Sequence, residues 1–195
     1  MDIRCYVCML RQIIEMLEYT DFDNNKKHKI FMKVYQYLRE QPQTANQVKT
    51  GNNAYMLMKR ETGIEDICKS IKEVSNKKAL EIYSWLRRLV KRSDDKLKTA
   101  IKIATAGNVI DIGPGFDLNL RKTVKKVLKQ NFEIDHLEEF RKSVSRAASI
   151  LYLADNAGET VFDRILIEEL EVPVIYAVKQ KPVGNDALYQ YVLSA

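Results

Sequence analysis

I-L-Y-L-A-D-N-A-G-E-T-V-F-D-R-I-L-I-E-E-L-E-V-P-V-I-Y-A-V, Ile150 to Val178, holds the plan of the second half of this chain. Two short apolar runs, 150–154 and 172–178, have the length and composition of buried strands. Between them Val161, Phe162, Ile165, Leu166 and Leu170 recur at helical spacing, which predicts a helix over 158–170. Strand, helix, strand within about 30 residues is a β-α-β unit, and its strands must run parallel.

In parallel α/β sheets, ligands gather beyond the carboxyl ends of the strands. That rule selects two loops before any motif is weighed. Asp155-Asn156-Ala157-Gly158-Glu159 follows the first strand, and Lys179 to Asp186 follows the second. Asp155, Asn156 and Asp186 offer the oxygen donors that hard cations such as Mg²⁺ and Mn²⁺ take. Gly158 keeps the turn narrow, and the N–H groups that open the next helix suit a phosphate. Asp, Asn and Gly are equally ordinary in turns and caps, so the turn alone also admits a structural role.

The first hundred residues have another texture. Ile3, Val7, Leu10, Ile13, Ile14 and Leu17 predict one apolar helical stripe. Ile30, Phe31, Val34, Tyr35 and Leu38 predict a second helix before Pro42, and a third is expected to begin after Thr50-Gly51-Asn52. The pattern continues from Ile64 to Val90, with Trp85 on its face, and through Leu97, Ile101 and Ala104 towards Gly107. Further helices are expected over 120–128 and 137–147. The predicted organisation is a helical N-terminal subdomain, 1–106, and an α/β core, 107–195.

A chain of 195 residues that is 46% apolar can bury a core as one domain with an appendage. No apolar run approaches the roughly 20 residues of a membrane span. The start, M-D-I-R-C-Y-V-C, lacks the layout of a signal peptide, so a cytoplasmic location is expected. Cys5 and Cys8 form a C-x-x-C and Cys68 stands apart, which makes neither a disulfide framework nor a complete zinc pattern. Net charge is +6 but uneven: residues 1–130 carry 26 basic against 15 acidic groups, and 131–195 carry 6 against 11. The basic residues are spread along helices without a recognition motif or aromatic platform. They read as solvated surface, and no nucleic-acid partner is expected.

N-V-I-D-I-G-P-G-F-D, Asn108 to Asp117, has the look of a nucleotide-binding loop. An acid and two glycines after an apolar run fit the cofactor loop of an S-adenosylmethionine-dependent methyltransferase, and Glu133 and Asp135 lie where a ribose-holding acid would. Against this, Asp117 stands where such a loop wants a small residue. Only 78 residues follow it, few for the rest of that sheet.

Four stretches carry a resemblance that explains this one better than a cofactor loop does. L-A-D-N-A-G-E-T-V-F-D at 153–163, C-Y-V-C-M-L-R-Q at 5–12, A-T-A-G-N-V-I-D-I-G at 104–113 and A-V-K-Q-K-P-V-G-N-D-A at 177–187 resemble the metal-dependent damage-control phosphatases, in that family's order. The resemblance implies a helical N-terminal part on a Rossmann-like α/β/α core. It implies hydrolysis of small phosphate monoesters, such as sugar phosphates or damaged phosphometabolites, with Mg²⁺, Mn²⁺, Co²⁺ or Ni²⁺. Asp155, Asn156 and Asp186 match the metal ligands at the catalytic centre. Asn108 and Asp111 match positions lining the substrate cleft, and Glu159 matches a motif acid. Gly158 and Lys179 are placed to meet the phosphate.

The sequence departs from the family at Gln180 and Gly184, where a glycine and a bulky aliphatic are expected. Relatives also continue well past position 195, so the core reads as truncated. Two alternatives therefore stay open: a non-catalytic metal-binding or self-associating remnant, and an S-adenosylmethionine-dependent carboxyl methyltransferase. An incomplete sheet leaves an open edge and apolar faces, which predicts a homodimer.

Overall fold

Short polar side chains open the first three helices. Asp2 accepts from the Arg4 N–H at 2.8 Å, Asp23 from Lys26 at 2.7 Å and Asn46 from Lys49 at 3.0 Å. Each satisfies an N–H that the helix itself leaves unpaired. The helices are α1 (Ile3–Glu18), α2 (Asn24–Arg39) and α3 (Gln47–Thr62). The structure is a computed structural model and describes residues 1–108 and 119–193.

Residues 1–71 with 182–185 form one compact unit, and 72–181 with 186–195 form another. The expected boundary at 106/107 falls inside the second unit, within the helix Lys96–Asn108. In the first, Met9, Ile13 and Leu17 of α1 meet Ile30, Val34 and Leu38 of α2 and Ala54, Tyr55 and Met58 of α3. The α2 positions are those the periodicity picks out. The α1 stripe is rotated: Ile3 and Val7 are exposed at 78% and 64%, and Met9 takes the buried place. Met9, Ile13 and Leu17 are spaced at i, i+4 and i+8, and that single row faces α2 and α3. Helix α3 also starts earlier than expected. Asn46 supplies its cap, and Gly51-Asn52 lie within it, where a Cβ on Gly51 would make only ordinary contact with Met9.

The second unit contains nearly all of α4 (Lys69–Lys91), then α5 (Lys96–Asn108), α6 (Leu120–Lys129), α7 (Leu137–Arg146), β1 (Ile150–Leu153), α8 (Thr160–Ile167), β2 (Val174–Ala177) and α9 (Tyr189–Leu193). Its core joins Ala79, Ile82, Leu86 and Val90 to Ala100, Ile103 and Ala106, and both to Phe162 and Ile165. Phe162 is fully buried, which is worth about 1.5–3 kcal/mol of transfer free energy. A Cβ on Gly107 would stand 2.9 Å from that of Phe162, so α5 approaches α8 as closely as only glycine permits. The Glu168 carboxylate, just past α8, accepts from Tyr83 at 2.7 Å and Arg164 at 2.9 Å, tying that end to α4.

Strands β1 and β2 pair in parallel, with Ile150 opposite Val174 and Leu153 opposite Ala177. The β-α-β unit expected from the sequence is present. Its burial is a correction, because Leu151, Leu153 and Ile175 are 60–72% exposed. Only the face bearing Tyr152 and Tyr176 meets α8. Among the described residues, no helix is long and apolar enough to cross a membrane.

Candidate metal and phosphate site

The two loops selected by the strand-end rule come together. Asn156 and Asp186 face each other in an antiparallel bridge, and Lys179 and Leu188 form a parallel one. Ala187 lies between the extended strand ends. Its N–H donates to the Asp155 carbonyl at 2.6 Å, and its own carbonyl accepts from the Lys179 N–H at 3.1 Å. Backbone hydrogen bonds therefore fix Asp155, Asn156 and Asp186 beside one another at the carboxyl ends of β1 and β2.

The turn after β1 is not an ordinary cap. A 3₁₀ turn, Ala157–Glu159, precedes α8, and Asn156 makes no side-chain cap bond to it. The Asn156 Nδ2 instead donates to Glu159 Oε1 at 2.6 Å. With the amide nitrogen so engaged, the oxygen is the end of the amide that could serve a cation. Glu159 is also hydrogen-bonded by the side chain of Asn108, at the end of α5. Asn108 and Glu159, far apart in sequence, are thus joined; Asp111 lies outside the described residues.

Gly158 is buried against α4, and a Cβ there would meet that of Ser75 at 3.0 Å. The following Thr160 Oγ1 donates to the Ala157 carbonyl at 2.8 Å and to Asn76 Oδ1 at 3.4 Å. Asp155 is exposed, Asn156 and Asp186 are half-buried, and Lys179 is exposed with its Nζ 3.7 Å from Asp186 Oδ2.

Carboxylates crowd this corner. Burial pushes the Glu159 carboxyl above its ordinary value, and the charges of Asp155 and Asp163 push the same way against hydrogen bonds from Asn156 and Asn108. Burial likewise raises Asp186, with Asp155 adding to it while Lys179 and Lys72 oppose. Like charges held together at a half-buried site are what a divalent cation relieves. Two carboxylates and a carboxamide make a hard, all-oxygen donor set, which fits Mg²⁺ or Mn²⁺. Among the described residues, no group of three or more His, Cys, Asp or Glu side chains could by itself hold a metal ion.

Lys72, Ser75 and Asn76 were not singled out by the sequence, yet all three are buried on α4. The signal was present. They fall in phase with Ala79, Ile82, Leu86 and Val90, and polar residues inside an apolar helical stripe mark a built contact.

Residues 1–194 match the damage-control phosphatase ARMT1-like domain. The chain belongs to that family. The damage-control phosphatase PH1575 of Pyrococcus horikoshii is 31% identical over 94% of this chain and 65% of its own length. The uncharacterized protein MJ0202 of Methanocaldococcus jannaschii is 27% identical over 94% of this chain and 63% of its own. The crystal structure of a DUF89 family protein, PH1575 of P. horikoshii, superposes with a TM-score of 0.83 at 28% identity, covering all of this chain and 69% of that one. The ARMT1-like fold expected from the D-N-A-G-E resemblance is thereby established. The chain spans just under two thirds of the length of those two curated relatives.

Proposed function

We propose that this ARMT1-like chain is a metal-dependent phosphatase acting on small phosphate monoesters, of the kind found in sugar phosphates and damaged phosphometabolites. The observation that carries the reading is the joining of the strand ends: Ala187 bonded to Asp155, and Asp186 bridged to Asn156. The names of curated relatives support the reaction class.

Asp155, Asn156 and Asp186 would hold one divalent cation, Mg²⁺, Mn²⁺, Co²⁺ or Ni²⁺. Such a cation supplies Lewis acidity towards a phosphoryl oxygen. Glu159 orients the Asn156 amide. Lys179, exposed beside Asp186, meets the phosphate charge, and the turn at Gly158 brings α8 up beneath it. Asn108 and Asp111 orient the organic part of the substrate. Cys5, Cys8 and Cys68 form no disulfide among the described residues, which accords with the reducing cytoplasm. The exposed face of Leu151, Leu153 and Ile175 is where we place a second copy of the chain, and a strict monomer by light scattering at micromolar concentration would remove that dimer.

The deciding experiment is a phosphate-release screen over sugar phosphates and an aryl phosphate, with each metal and with EDTA. Release that EDTA abolishes, and that Asp155→Ala lacks, is expected. Metal binding without any release would favour a non-catalytic remnant. Methyl transfer from S-adenosylmethionine without release would favour the carboxyl methyltransferase.

A further inference from the structure

Two four-residue strands in parallel give few ladder bonds, and such a pair has little stability of its own. One face of this pair is exposed, so apolar burial steadies it from one side only. The strand ends nevertheless carry the acids of the proposed site. Something must hold them.

On the inner face, Tyr152 and Tyr176 are direct register partners, with ring centroids 5.3 Å apart. Their hydroxyls converge on one carboxylate. Tyr152 donates to Asp163 Oδ1 and Tyr176 to Asp163 Oδ2, each at 2.5 Å. Asp163 projects from α8 and is 5% exposed. Both oxygens are used, and these two hydrogen bonds oppose the burial that pushes the Asp163 carboxyl above its ordinary value. Burial first, then the Asp163 charge, pushes both phenols above their ordinary range, so they remain donors.

We propose that Asp163 is a positioning residue for the metal site, tying β1 to β2 through Tyr152 and Tyr176 and so fixing the spacing of Asp155 and Asp186. The path is short. Two residues beyond Tyr152, the Ala154 N–H donates to the Ala177 carbonyl at 2.9 Å, and the next residue is Asp155, whose carbonyl receives the Ala187 N–H. Slippage at the tyrosine pair would therefore shift both acids. Asp163 touches neither metal nor substrate; it acts through the strands. The inference rests on the metal reading above.

The test is Mn²⁺ titration by calorimetry, without substrate, on the 195-residue chain and its Asp163→Ala, Asp163→Asn, Tyr152→Phe and Tyr176→Phe variants. Amide hydrogen exchange at Ala154 and Ala187 is read on the metal-free proteins. Loss of an outer partner of this kind typically weakens metal binding 10–100-fold, which is the drop expected for Asp163→Ala. Each Tyr→Phe should fall part of the way, and Asp163→Asn, keeping shape and one acceptor, should recover part of the loss. Ala154 and Ala187 should exchange faster in the same order. If Asp163→Ala does not fold, the two Tyr→Phe variants, each lacking one hydroxyl, carry the comparison. Variants with a lowered melting temperature but wild-type Mn²⁺ affinity would overturn the proposal, since Asp163 would then be structural only. Failure of the wild type to bind Mn²⁺ would overturn the metal reading instead. The exchange rates alone would then decide whether Asp163 holds the strand ends, and unchanged rates would sink it.

Discussion

Asn156 and Glu159 are bonded side chain to side chain across a single turn, Nδ2 to Oε1 at 2.6 Å. The bond takes the place of a helix cap and fixes which end of the amide is left free. Glu159→Ala should let the Asn156 amide rotate, and Mn²⁺ affinity should drop about 10–100-fold. Glu159→Gln keeps an acceptor and should lie nearer the wild type. Equal affinities for all three proteins in a calorimetric titration would show that the amide needs no orienting.

Lys179 is expected to have opposite effects on two ligands. Its ammonium stands 3.7 Å from Asp186, where it neutralises charge that a cation would otherwise neutralise. Lys179→Ala should therefore tighten Mn²⁺ binding. It should also raise KM for a phosphate ester about tenfold, or ~1.4 kcal/mol, with kcat little changed. Steady-state kinetics at saturating metal check the second effect, and metal titration checks the first. Movement of both in the same direction would contradict the assignment.

The close approach of the turn to α4 can be probed without altering Asp155, Asn156 or Asp186. Gly158→Ala places a Cβ 3.0 Å from that of Ser75, and overpacking of this kind costs about 1–3 kcal/mol. Urea unfolding should register that loss. In a Ser75→Gly background the same substitution should cost less, because the obstructing carbon has gone. Additive costs would mean that the clash is relieved elsewhere.

Asp95 supplies a pH-dependent contribution away from the site. The Arg141 guanidinium, hydrogen-bonded to both its oxygens, holds the Asp95 carboxyl below its ordinary value, and the Lys98 N–H adds to this against burial. A carboxyl lowered by folding contributes stability above its unfolded value of about 3.9 and loses it as pH falls through the folded value. Asp95→Asn keeps a cap for the Lys98 N–H but breaks the ion pair. With both side chains about one third exposed, the loss at pH 7 is about 0.5 kcal/mol. The gap between wild type and variant, measured by urea unfolding, should narrow as pH falls below the unfolded value and close once it has passed the folded one. A gap that persisted at acid pH would assign the effect to packing.

The β-α-β unit was legible because its signal is local: two apolar runs and a helical period between them. The strand-end rule picked out two loops that the structure does bring together, with Asp155 and Asp186 31 positions apart in sequence, 155 to 186. What stayed hidden was decided by tertiary packing. Lys72 reads as a surface lysine until α4 is seen to bury it completely. Asp163 reads as one more helix acid until Tyr152 and Tyr176 are seen to enclose it. The rotation of α1, with Met9 inward and Val7 outward, has the same origin, since both sit in an apolar row and only the neighbouring helices choose between them.

The bond from the Ala187 N–H to the Asp155 carbonyl makes the site indivisible. Closing a loop of about 30 residues costs ~3 kcal/mol of chain entropy on the logarithmic term alone, before any ligand is gathered. That cost is met by the helix and strand pairing between the two ends. A peptide bearing D-N-A-G-E alone would own two of the donors and none of the closure. A nick between α8 and β2 would leave every donor in the mixture, while making their encounter bimolecular. Any capacity to hold a cation would therefore be a property of the closed ring, arising only when the whole ring has folded.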